Sequence, residues 1–259
     1  MYRKSYFVGG PAVAASQTAA AEYCEGGTRK AWENYVTGRA AGSQDTGPVR
    51  NGIARSWQRS LEMGVDARKT HSRKVADTDA LHQLRRKNQS LRQAARAALS
   101  RLQPHLGEAN AMMVLTDKEG VIIDAIGDNA VLDEGQNIHL EVGGIWSEAA
   151  IGTNGIGTAL ETGQPTYVHA AEHFCQGVQS WTCAGAPITD PFDGSVIGVV
   201  DLSGPPRIFQ PHNVALVIAA AREIEIALAE QQREERTLLL EAFLNSDNSR
   251  HANSVLLLD

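Results

Sequence analysis

The sequence predicts an α+β fold, in which an antiparallel sheet is flanked by helices. Three stretches support this prediction. Residues 76–103 have the spacing of a long helix, residues 111–204 contain short apolar segments separated by glycine-containing turns, and residues 211–232 again have helical spacing. The order of a helix, two strands, a small helix, further strands and a long helix is typical of this class.

The first 48 residues are predicted to be a flexible N-terminal extension. They contain Gly-Gly-Pro, Gly-Gly and Ala-Ala-Gly-Ser stretches, which bury little surface and interrupt regular structure. A short helix is expected over Ala31–Val36, with Trp32 and Tyr35 on one side. The alternative is a structured arm that docks on a partner.

Residues 49–75 are predicted to be a short helical segment. Ile53, Trp57 and Leu61 recur every four residues, which places them on one face of a helix, and Gly64 stands where helices usually end. Three arginines lie mostly off that face, and we expect them to be solvated; a DNA-contacting helix is the alternative. They are Arg50, Arg55 and Arg59.

The helix predicted over 76–103 has a heptad seam. Asp77 or Thr78 can cap its start, and Pro104 and Gly107 are expected to end it. The seam is open to two interpretations: a dimer interface in which a buried Asn fixes the register, or a stripe that packs on the domain that follows. Its residues are Leu81, Leu84, Asn88, Leu91, Ala95, Ala98 and Leu102.

The strand pattern begins with a hairpin and ends with the most apolar segment. Strands are predicted at Ala111–Asp117, Val121–Gly127, His139–Val142 (a short edge strand), Gln164–His169, Cys183–Thr189 and Ser195–Ser203. A small, glycine-rich helix is predicted over Ile151–Thr162. The long helix over Pro211–Gln232 has an apolar face that includes Ile224 and Leu228.

Charge is distributed unevenly along the chain. Residues 1–110 carry 18 Lys and Arg against 9 Asp and Glu, whereas residues 111–259 carry 6 against 21, and the formal net charge is −6. The basic half is compatible with nucleic-acid binding, and the acidic half is not. The sequence contains no run of ~18 consecutive apolar residues, the length that a transmembrane helix needs, so no membrane partner is expected. Three widely separated cysteines do not form a disulfide scaffold, so a cytoplasmic location is expected.

The glycines at 152, 155 and 157 resemble a dinucleotide-binding fingerprint only superficially. The order is Gly-Thr-Asn-Gly-Ile-Gly, without the preceding strand and the following acidic residue of such a unit. We expect them to allow tight contact between a helix and the sheet. Thr153 and Asn154 are positioned to cap the small helix; alternatively, Asn154 faces a pocket.

The residue types with the most varied chemistry lie between positions 169 and 183. The spacing of His169, His173, Cys175, Trp181 and Cys183 matches no standard structural zinc pattern. Pocket lining is the preferred interpretation, while a metal or haem site and a redox pair of the two cysteines stay open; His173, Cys175 and Cys183 are only weak metal candidates.

Two polar residues interrupt the last strand. Asp201 and Ser203 alternate along it, so they share one face of a buried strand and need partners. Either they form structural hydrogen bonds to the segment at Thr153–Asn154, or they bind a polar ligand.

Four separated motifs together resemble a known family. They are Ile-Trp-Ser-Glu-Ala-Ala-Ile-Gly-Thr-Asn-Gly-Ile-Gly-Thr-Ala-Leu (145–160), Val-His-Ala-Ala-Glu-His-Phe (168–174), Trp-Thr-Cys-Ala (181–184) and Gly-Val-Val-Asp-Leu-Ser-Gly (198–204). The segment Arg-Ser-Trp-Gln-Arg-Ser-Leu (55–61) followed by Gly-Val-Asp also matches. Over roughly residues 49–230, the chain resembles the GAF sensor region of bacterial enhancer-binding proteins of the acetoin-catabolism-regulator type.

The resemblance implies a GAF domain over residues 76–230, with a roughly six-stranded antiparallel sheet, helices on one side and a small-molecule pocket on the other. The pocket candidates are Trp146, Asn154, His169, His173, Phe174, Trp181, Cys183, Asp201 and Ser203. The candidates for a dimer contact and for signal relay are Leu81, Leu84, Asn88, Leu91, Leu102, Ile224 and Leu228. Residues 231–259 are expected to be a linker and the start of a PAS-like domain.

The expected function follows from the same resemblance. A small effector such as acetoin, a diol or a ketone binds the pocket, no cofactor is required, and the protein is a homodimer. Contact with sigma-54 RNA polymerase and DNA would need output domains. The phosphate loop of an ATPase output domain ends in Gly-Lys-Ser/Thr, and this motif does not occur in the 259 residues. An enzyme is not expected. The alternatives are a cysteine-dependent GAF enzyme that reduces methionine sulfoxide, a metal or haem sensor, and a nucleic-acid binder through residues 50–101.

Overall fold

The computed structural model describes residues 25–38, 47–75, 77–208, 210 and 212–247. Eight α-helices lie in these ranges: α1 (Glu25–Val36), α2 (Asn51–Glu62), α3 (Thr78–Lys87), α4 (Gln89–Ala109), α5 (Asn129–Gln136), α6 (Glu148–Ile151), α7 (Gly155–Thr162) and α8 (Asn213–Asp247). Residues 248–259, at the end of the segment predicted to begin a PAS-like domain, and Cys24 lie outside the described residues. None of the helices in the described ranges combines the length and the apolar composition that a membrane span requires.

Seven strands form two sheets within the described part of the chain. They are β1 (Arg73–Lys74), β2 (Met112–Asp117), β3 (Ile122–Gly127), β4 (Gly144–Ile145), β5 (Thr166–His169), β6 (Thr182–Thr189) and β7 (Val196–Gly204). The main sheet has the order β3-β2-β7-β6-β5, and all its neighbouring strands are antiparallel. The mixed fold of helices and an antiparallel sheet is therefore confirmed.

The main sheet has five strands rather than the six expected, because the predicted edge strand His139–Val142 is not formed. His139 has a φ of 57° and Gly143 a φ of 92°, so the backbone turns twice where a strand would have to stay extended. The extended residues come just later, in β4, which pairs with β1 outside the main sheet.

Successive residues of the strands point to opposite faces of the sheet and supply two cores. On one face, Met112 and Val114 pack with residues from α1, α2 and the segment between β3 and β6. On the other face, Met113 and Leu115 pack with α4 and α8. The candidate site lies on the first face, which we call the roof face, and the two long helices cover the second, which we call the helix face.

The helix predicted over 76–103 is two helices. Its start at Ala76 lies outside the described residues, and Asp77 caps α3 by accepting a hydrogen bond from the backbone N–H of Asp79. Asn88 ends α3 and begins α4 with a backbone outside the helical region, and its side-chain amide donates to the Leu84 carbonyl. The amide therefore has a local partner at this break.

Pro104 and Gly107 do not end the helix, contrary to the prediction. Pro104 lies inside α4, where its ring nitrogen has no hydrogen to donate to the preceding turn. The helix continues because Leu106 is buried against the core on the helix face. It ends at Asn110, which has a left-handed backbone with a φ of 50°.

The heptad seam packs within the chain along α4. Leu91, Ala95 and Ala98 are buried, and they share the core of the helix face with Ile224 and Leu228 from α8. Leu84 and Leu102 are partly buried against the same core, and Leu81 is half-buried. Intramolecular packing therefore accounts for the seam residues from 84 to 102, and a dimer contact stays a prediction.

The N-terminal segments pack on the roof face. Residues 25–36 form a helix that is longer than predicted, and Trp32 is buried and donates from Nε1 to the Phe174 carbonyl at 2.8 Å. This part of the predicted flexible extension is therefore corrected to a docked helix. In α2, Ile53 and Trp57 are buried as expected, whereas Leu61 is 44% exposed.

Candidate functional site

A buried polar group lies on the roof face at the centre of the sheet. Ser203 Oγ is 2.5 Å from Asp201 Oδ1 on the same strand and 3.2 Å from Cys183 Sγ on the neighbouring strand. All three residues are buried, and Asp201 is fully enclosed. The prediction that the polar pair bonds to the segment at Thr153–Asn154 is wrong, because Ser203 turns to Asp201 and Cys183 instead.

One carboxylate oxygen of this group is left without a partner. Asp201 Oδ2 is buried and accepts no hydrogen bond from any described residue. A Cβ atom added to Gly155 would lie 2.4 Å from this oxygen, and one added to Gly185 would lie 2.4 Å from the Gly155 carbonyl oxygen. The first turn of α7 thus sits directly on the carboxyl, which confirms the predicted role of Gly155 in close contact between helix and sheet.

Burial changes the ionisation of this group. Removal from water raises the pKa of Asp201 to about 7, although the Ser203 hydroxyl opposes the shift. Burial, together with the Asp201 charge, also raises the pKa of the Cys183 thiol above its usual value. A carboxyl with this pKa exists in both forms near neutral pH, so it can donate or accept a hydrogen bond there.

His173 supplies a second unpartnered polar atom. Its Nδ1 lies 3.0 Å from the Ala170 carbonyl oxygen, and since a carbonyl only accepts, Nδ1 carries the proton. Burial lowers the pKa of His173 to about 4, so the ring is neutral at pH 7. Nε2 is then a bare acceptor, and it is buried without a partner among the described residues.

Asn154 and Trp146 have structural roles. Asn154 accepts a hydrogen bond from the Gly157 N–H, which caps α7, and its amide donates to the carbonyls of Trp146 and Gly152. Trp146 Nε1 donates to the His139 carbonyl at 2.9 Å. Of the two roles that the sequence allowed for Asn154, the structure shows the cap.

The remaining candidates line the segment between β5 and β6. Phe174 is fully buried beside Gly152, where an added Cβ would lie 2.6 Å from the Phe174 Cβ. His169 Nδ1 is 3.2 Å from Thr182 Oγ1, and Trp181 is buried in the same core as Phe174. Phe174 and Trp181 belong to the core of the roof face, whereas His169 alternates with Val168 along β5 and lies on the side of the sheet that faces away from the polar group.

The cysteines are not arranged as a reactive or metal-binding pair. Cys175 is a free, buried thiol whose Sγ is 3.4 Å from the Asp66 carbonyl oxygen, and burial raises its pKa to about 12. Cys183 is also a free, buried thiol. Across the described ranges, no three His, Cys, Asp or Glu side chains are grouped so that they could hold a metal ion.

Sequence reasoning missed the ion pairs that fasten α2 to the roof face. Arg59 Nε and Nη2 each donate to Glu148 at 2.7 Å, and Arg50 donates from Nε and Nη2 to Glu172 at 2.9 and 2.6 Å. Both carboxylates are almost fully buried. The expectation that Arg50 and Arg59 are solvated is therefore wrong. The signal in the sequence was the pair of acidic residues inside the motifs at 145–160 and 168–174.

Hydroxyl groups complete the contact around Glu148. Ser56 donates to Glu148 Oε1 at 2.5 Å and lies 2.6 Å from Thr153 Oγ1, while Thr158 donates to the same carboxylate oxygen at 2.8 Å. Trp57 Nε1 donates to the Glu172 carbonyl at 2.7 Å. The helix α2 is thus joined to α6 through Glu148 and to the segment that follows β5 through Glu172.

A family comparison identifies this architecture. The model of the family described as "MimR, N-terminal domain" matches residues 26–226, which is most of the chain. The chain belongs to the MimR N-terminal domain family. Members of this family are similar to it over the docked N-terminal helices as well as over the sheet.

Two curated relatives are transcriptional activators. The acetoin dehydrogenase operon activator AcoR of Bacillus subtilis is 33% identical over 86% of this chain and 36% of its own length. The propane 2-monooxygenase operon activator MimR of Mycolicibacterium smegmatis is 31% identical over 88% of this chain and 37% of its own length. The chain thus spans little more than a third of these relatives, and the predicted resemblance to the sensor region of acetoin-catabolism-type activators is confirmed.

A solved structure shares the fold. The chain of the E. coli DhaR(N)–DhaL complex superposes with a TM-score of 0.70 at 21% identity, covering 76% of this chain and 66% of that one. At this identity the likeness shows the fold alone. The family assignment rests on the family model and on the curated relatives.

Proposed function

We propose that the chain senses a small, uncharged metabolite with hydroxyl or carbonyl groups, and that the effector binds between the sheet and the segments on the roof face. The polar group of Asp201, Ser203 and Cys183, together with His173, would form its binding surface. In this proposal the sensory region is a GAF domain without a required cofactor, and it forms a homodimer in the complete regulator.

The observation that carries this proposal is a pair of buried polar atoms without partners, Asp201 Oδ2 and His173 Nε2. A buried polar atom without a hydrogen bond costs roughly 1–3 kcal/mol, so proteins keep such atoms where something else satisfies them. His173 Nε2 requires a donor, which a hydroxyl provides. Asp201, with a pKa of about 7, can donate to a carbonyl or accept from a hydroxyl.

Acetoin, butane-2,3-diol and simple ketones have this chemistry. Three relatives are named for operons of acetoin dehydrogenase, glycerol metabolism and dihydroxyacetone kinase, which agree with this class. MimR is named instead for a propane 2-monooxygenase operon. An anionic effector is disfavoured, because a desolvated negative charge beside a carboxyl and a neutral imidazole would lack a counter-charge.

Binding on the roof face has a direct route to the helix face. Asp201 points to the effector side of β7, while its neighbours Val200 and Leu202 pack in the core that contains α4 and α8. We propose that displacement of β7 changes the packing of Ile224 and Leu228, and that α8 transmits this change to output domains that act on sigma-54 RNA polymerase and DNA.

A cysteine-dependent enzyme has less support. A nucleophilic thiol needs a lowered pKa and access to solvent. Cys175 and Cys183 are both buried and have raised pKa values. Activity in methionine sulfoxide reduction that disappears in a Cys175→Ser, Cys183→Ser double variant would overturn this assignment.

Isothermal titration calorimetry of the 259-residue chain tests the proposed effector class. The panel is acetoin, butane-2,3-diol, glycerol and acetone. We expect saturable binding of at least one compound, weakened about tenfold by Asp201→Asn, because loss of one hydrogen bond to an ionisable group costs roughly 1.5 kcal/mol. His173→Phe should weaken binding of the hydroxylated compounds in particular.

Asp117→Asn is the matched control. Asp117 is also buried with one unpartnered carboxylate oxygen, but it is the last residue of β2, where its other oxygen accepts from the N–H groups of Glu119 and Val121 in the turn to β3. Its substitution should leave binding unchanged. Equal weakening by both Asn variants, or binding that neither Asp201→Asn nor His173→Phe alters, would place the effector elsewhere.

A further inference from the structure

A groove lined by basic side chains lies at the break between α3 and α4, away from the roof face. It is lined by His82, Arg85, Arg86, Gln89 and Arg92, and we call it the basic groove. Because Asn88 interrupts the helix, the last turn of α3 and the first turn of α4 direct three guanidinium groups to one concavity.

The Nε atoms of two of these guanidinium groups lack acceptors. Arg85 Nε and Arg92 Nε are buried and have no hydrogen-bond partner among the described residues. Arg92 forms a long ion pair with Asp124, in which Nη2 is 3.8 Å from Oδ2 and therefore beyond hydrogen-bonding distance. In the part of the chain that the structure describes, Arg85 forms no ion pair at all.

Stabilisation of the helix dipole does not explain why Arg85 Nε and Arg92 Nε are buried without acceptors. Cations in the last turn of a helix offset its dipole, and the exposed Arg86 and Lys87 can do so from solvent. In Arg85 and Arg92, by contrast, the Nε–H group is removed from water and forms no hydrogen bond that would offset the desolvation free energy. An anion in the groove would supply the missing acceptors.

We propose that the basic groove binds a phosphate group. A single carboxylate is satisfied by one guanidinium fork, whereas a tetrahedral dianion offers several oxygens in different directions and suits three guanidinium groups at once. A long polyanion fits less well, because residues 111–259 of the same molecule carry 21 acidic against 6 basic residues. The ligand class is therefore inorganic phosphate or a small phosphate ester.

The basic groove adjoins the helix that leaves the domain. Ser90, in the first turn of α4, donates to Gln231 of α8 at 3.1 Å. A phosphate held by Arg85 and Arg92 would stabilise the junction at Asn88 and thereby this contact. The chain would then have a second input, independent of the effector on the roof face and leading to the same helix.

Titration of inorganic phosphate into the 259-residue chain at low ionic strength, followed by ³¹P NMR, tests the proposal. We expect saturable binding with a Kd of about 1 mM, and Arg85→Gln or Arg92→Gln should raise the Kd roughly tenfold. The control is Arg96→Gln, which removes the same charge from an exposed position on α4 outside the groove and should change the Kd less than about twofold.

Two further measurements distinguish phosphate binding in the basic groove from misfolding of a variant and from DNA binding. Phosphate should raise the thermal midpoint of the wild type but not of Arg85→Gln, which also shows whether the variant is folded. Fluorescence anisotropy with a DNA duplex should show no saturable binding. The proposal is overturned by absence of saturable phosphate binding, by equal effects of Arg96→Gln and Arg85→Gln, or by DNA binding that the groove variants abolish.

Discussion

At the scale of single residues, burial favours the uncharged forms of two groups and shifts their pKa values in opposite directions. The pKa of Asp201 is raised to about 7, so the folded state binds this proton more tightly than the unfolded chain does. The pKa of His173 is lowered to about 4, so the folded state binds that proton less tightly. The two groups therefore give the stability of the fold opposite dependences on pH.

The pH dependence can be measured by urea unfolding between pH 4 and pH 8. The contribution of Asp201 falls as the pH rises from about 4 to about 7, and that of His173 falls as the pH drops from about 6.5 to about 4. We expect Asp201→Asn to be more stable than the wild type at pH 8 and to lose stability more steeply in acid. A parallel shift of the whole profile would mean that Asp201 does not titrate in this range.

A second prediction concerns the ion pair between Arg59 and Glu148. Arg59→Gln leaves the carboxylate of Glu148 buried without its cation, and since Arg59 keeps partial solvent contact, we expect a loss of about 2–3 kcal/mol in the free energy of unfolding. The double variant Arg59→Met, Glu148→Gln removes both charges and should recover much of this loss.

Arg68→Gln provides the comparison for that pair. Arg68 contacts Asp66 at 3.3 Å, but its side chain is 83% exposed, so its removal should change the unfolding free energy by less than about 0.5 kcal/mol. Urea denaturation measures all three variants. If Arg59→Gln lowers the free energy of unfolding no more than Arg68→Gln does, the ion pair with Glu148 does not hold α2 on the roof face.

At the scale of elements, glycine determines how closely α7 approaches the sheet. Gly155→Ala would place a Cβ 2.8 Å from the Cys183 Cβ and 2.4 Å from Asp201 Oδ2, so α7 would have to move. We expect a loss of about 2 kcal/mol or more and weaker effector binding. Gly107→Ala in α4 meets no atom within 4 Å and should stabilise the fold by about 0.5–1 kcal/mol. Thermal unfolding measures the change in stability of both variants. Stability changes of the same sign would contradict the close contact of α7 with the sheet at Gly155.

The elements also show how far the sequence could be interpreted. Alternating and heptad patterns located the strands of the main sheet and the helices α2, α4 and α8, because burial on one face leaves a period in the sequence. The break at Asn88 and the continuation of α4 past Pro104 were missed, since tertiary packing of Leu106 outweighs a local preference. The strand expected at 139–142 failed for a similar reason: positive φ angles at His139 and Gly143 are set by context.

The candidate site was less predictable than the fold. Asp201 and Ser203 were visible as polar residues on an apolar strand, and their nearness to Cys183 follows from the pairing of β6 with β7. The partners of Arg50 and Arg59 were not visible, because Glu172 and Glu148 are 122 and 89 residues away in the sequence. Contacts at such separations depend on topology, which a local pattern does not contain.

At the scale of the whole molecule, the proposed effector site and the proposed output helix lie on opposite faces of one sheet. The roof face contains the buried polar group and is closed by α2 through Glu148 and Glu172, while the helix face contains α4 and the 35-residue α8. A helix of this length spans about 50 Å. It extends beyond the sheet, where Leu238, Leu239 and Leu240 are largely exposed. A signal that crosses β7 would therefore leave the domain along α8.

Hydrogen–deuterium exchange of the 259-residue chain, with and without saturating acetoin or butane-2,3-diol, tests this central claim most directly. We expect slower exchange in β7 and around His173 and a change in the first half of α8; these changes should need about tenfold more effector in Asp201→Asn and the wild-type concentration in Asp117→Asn. Protection that excludes β7, or protection of the roof face with no change in α8, would contradict it.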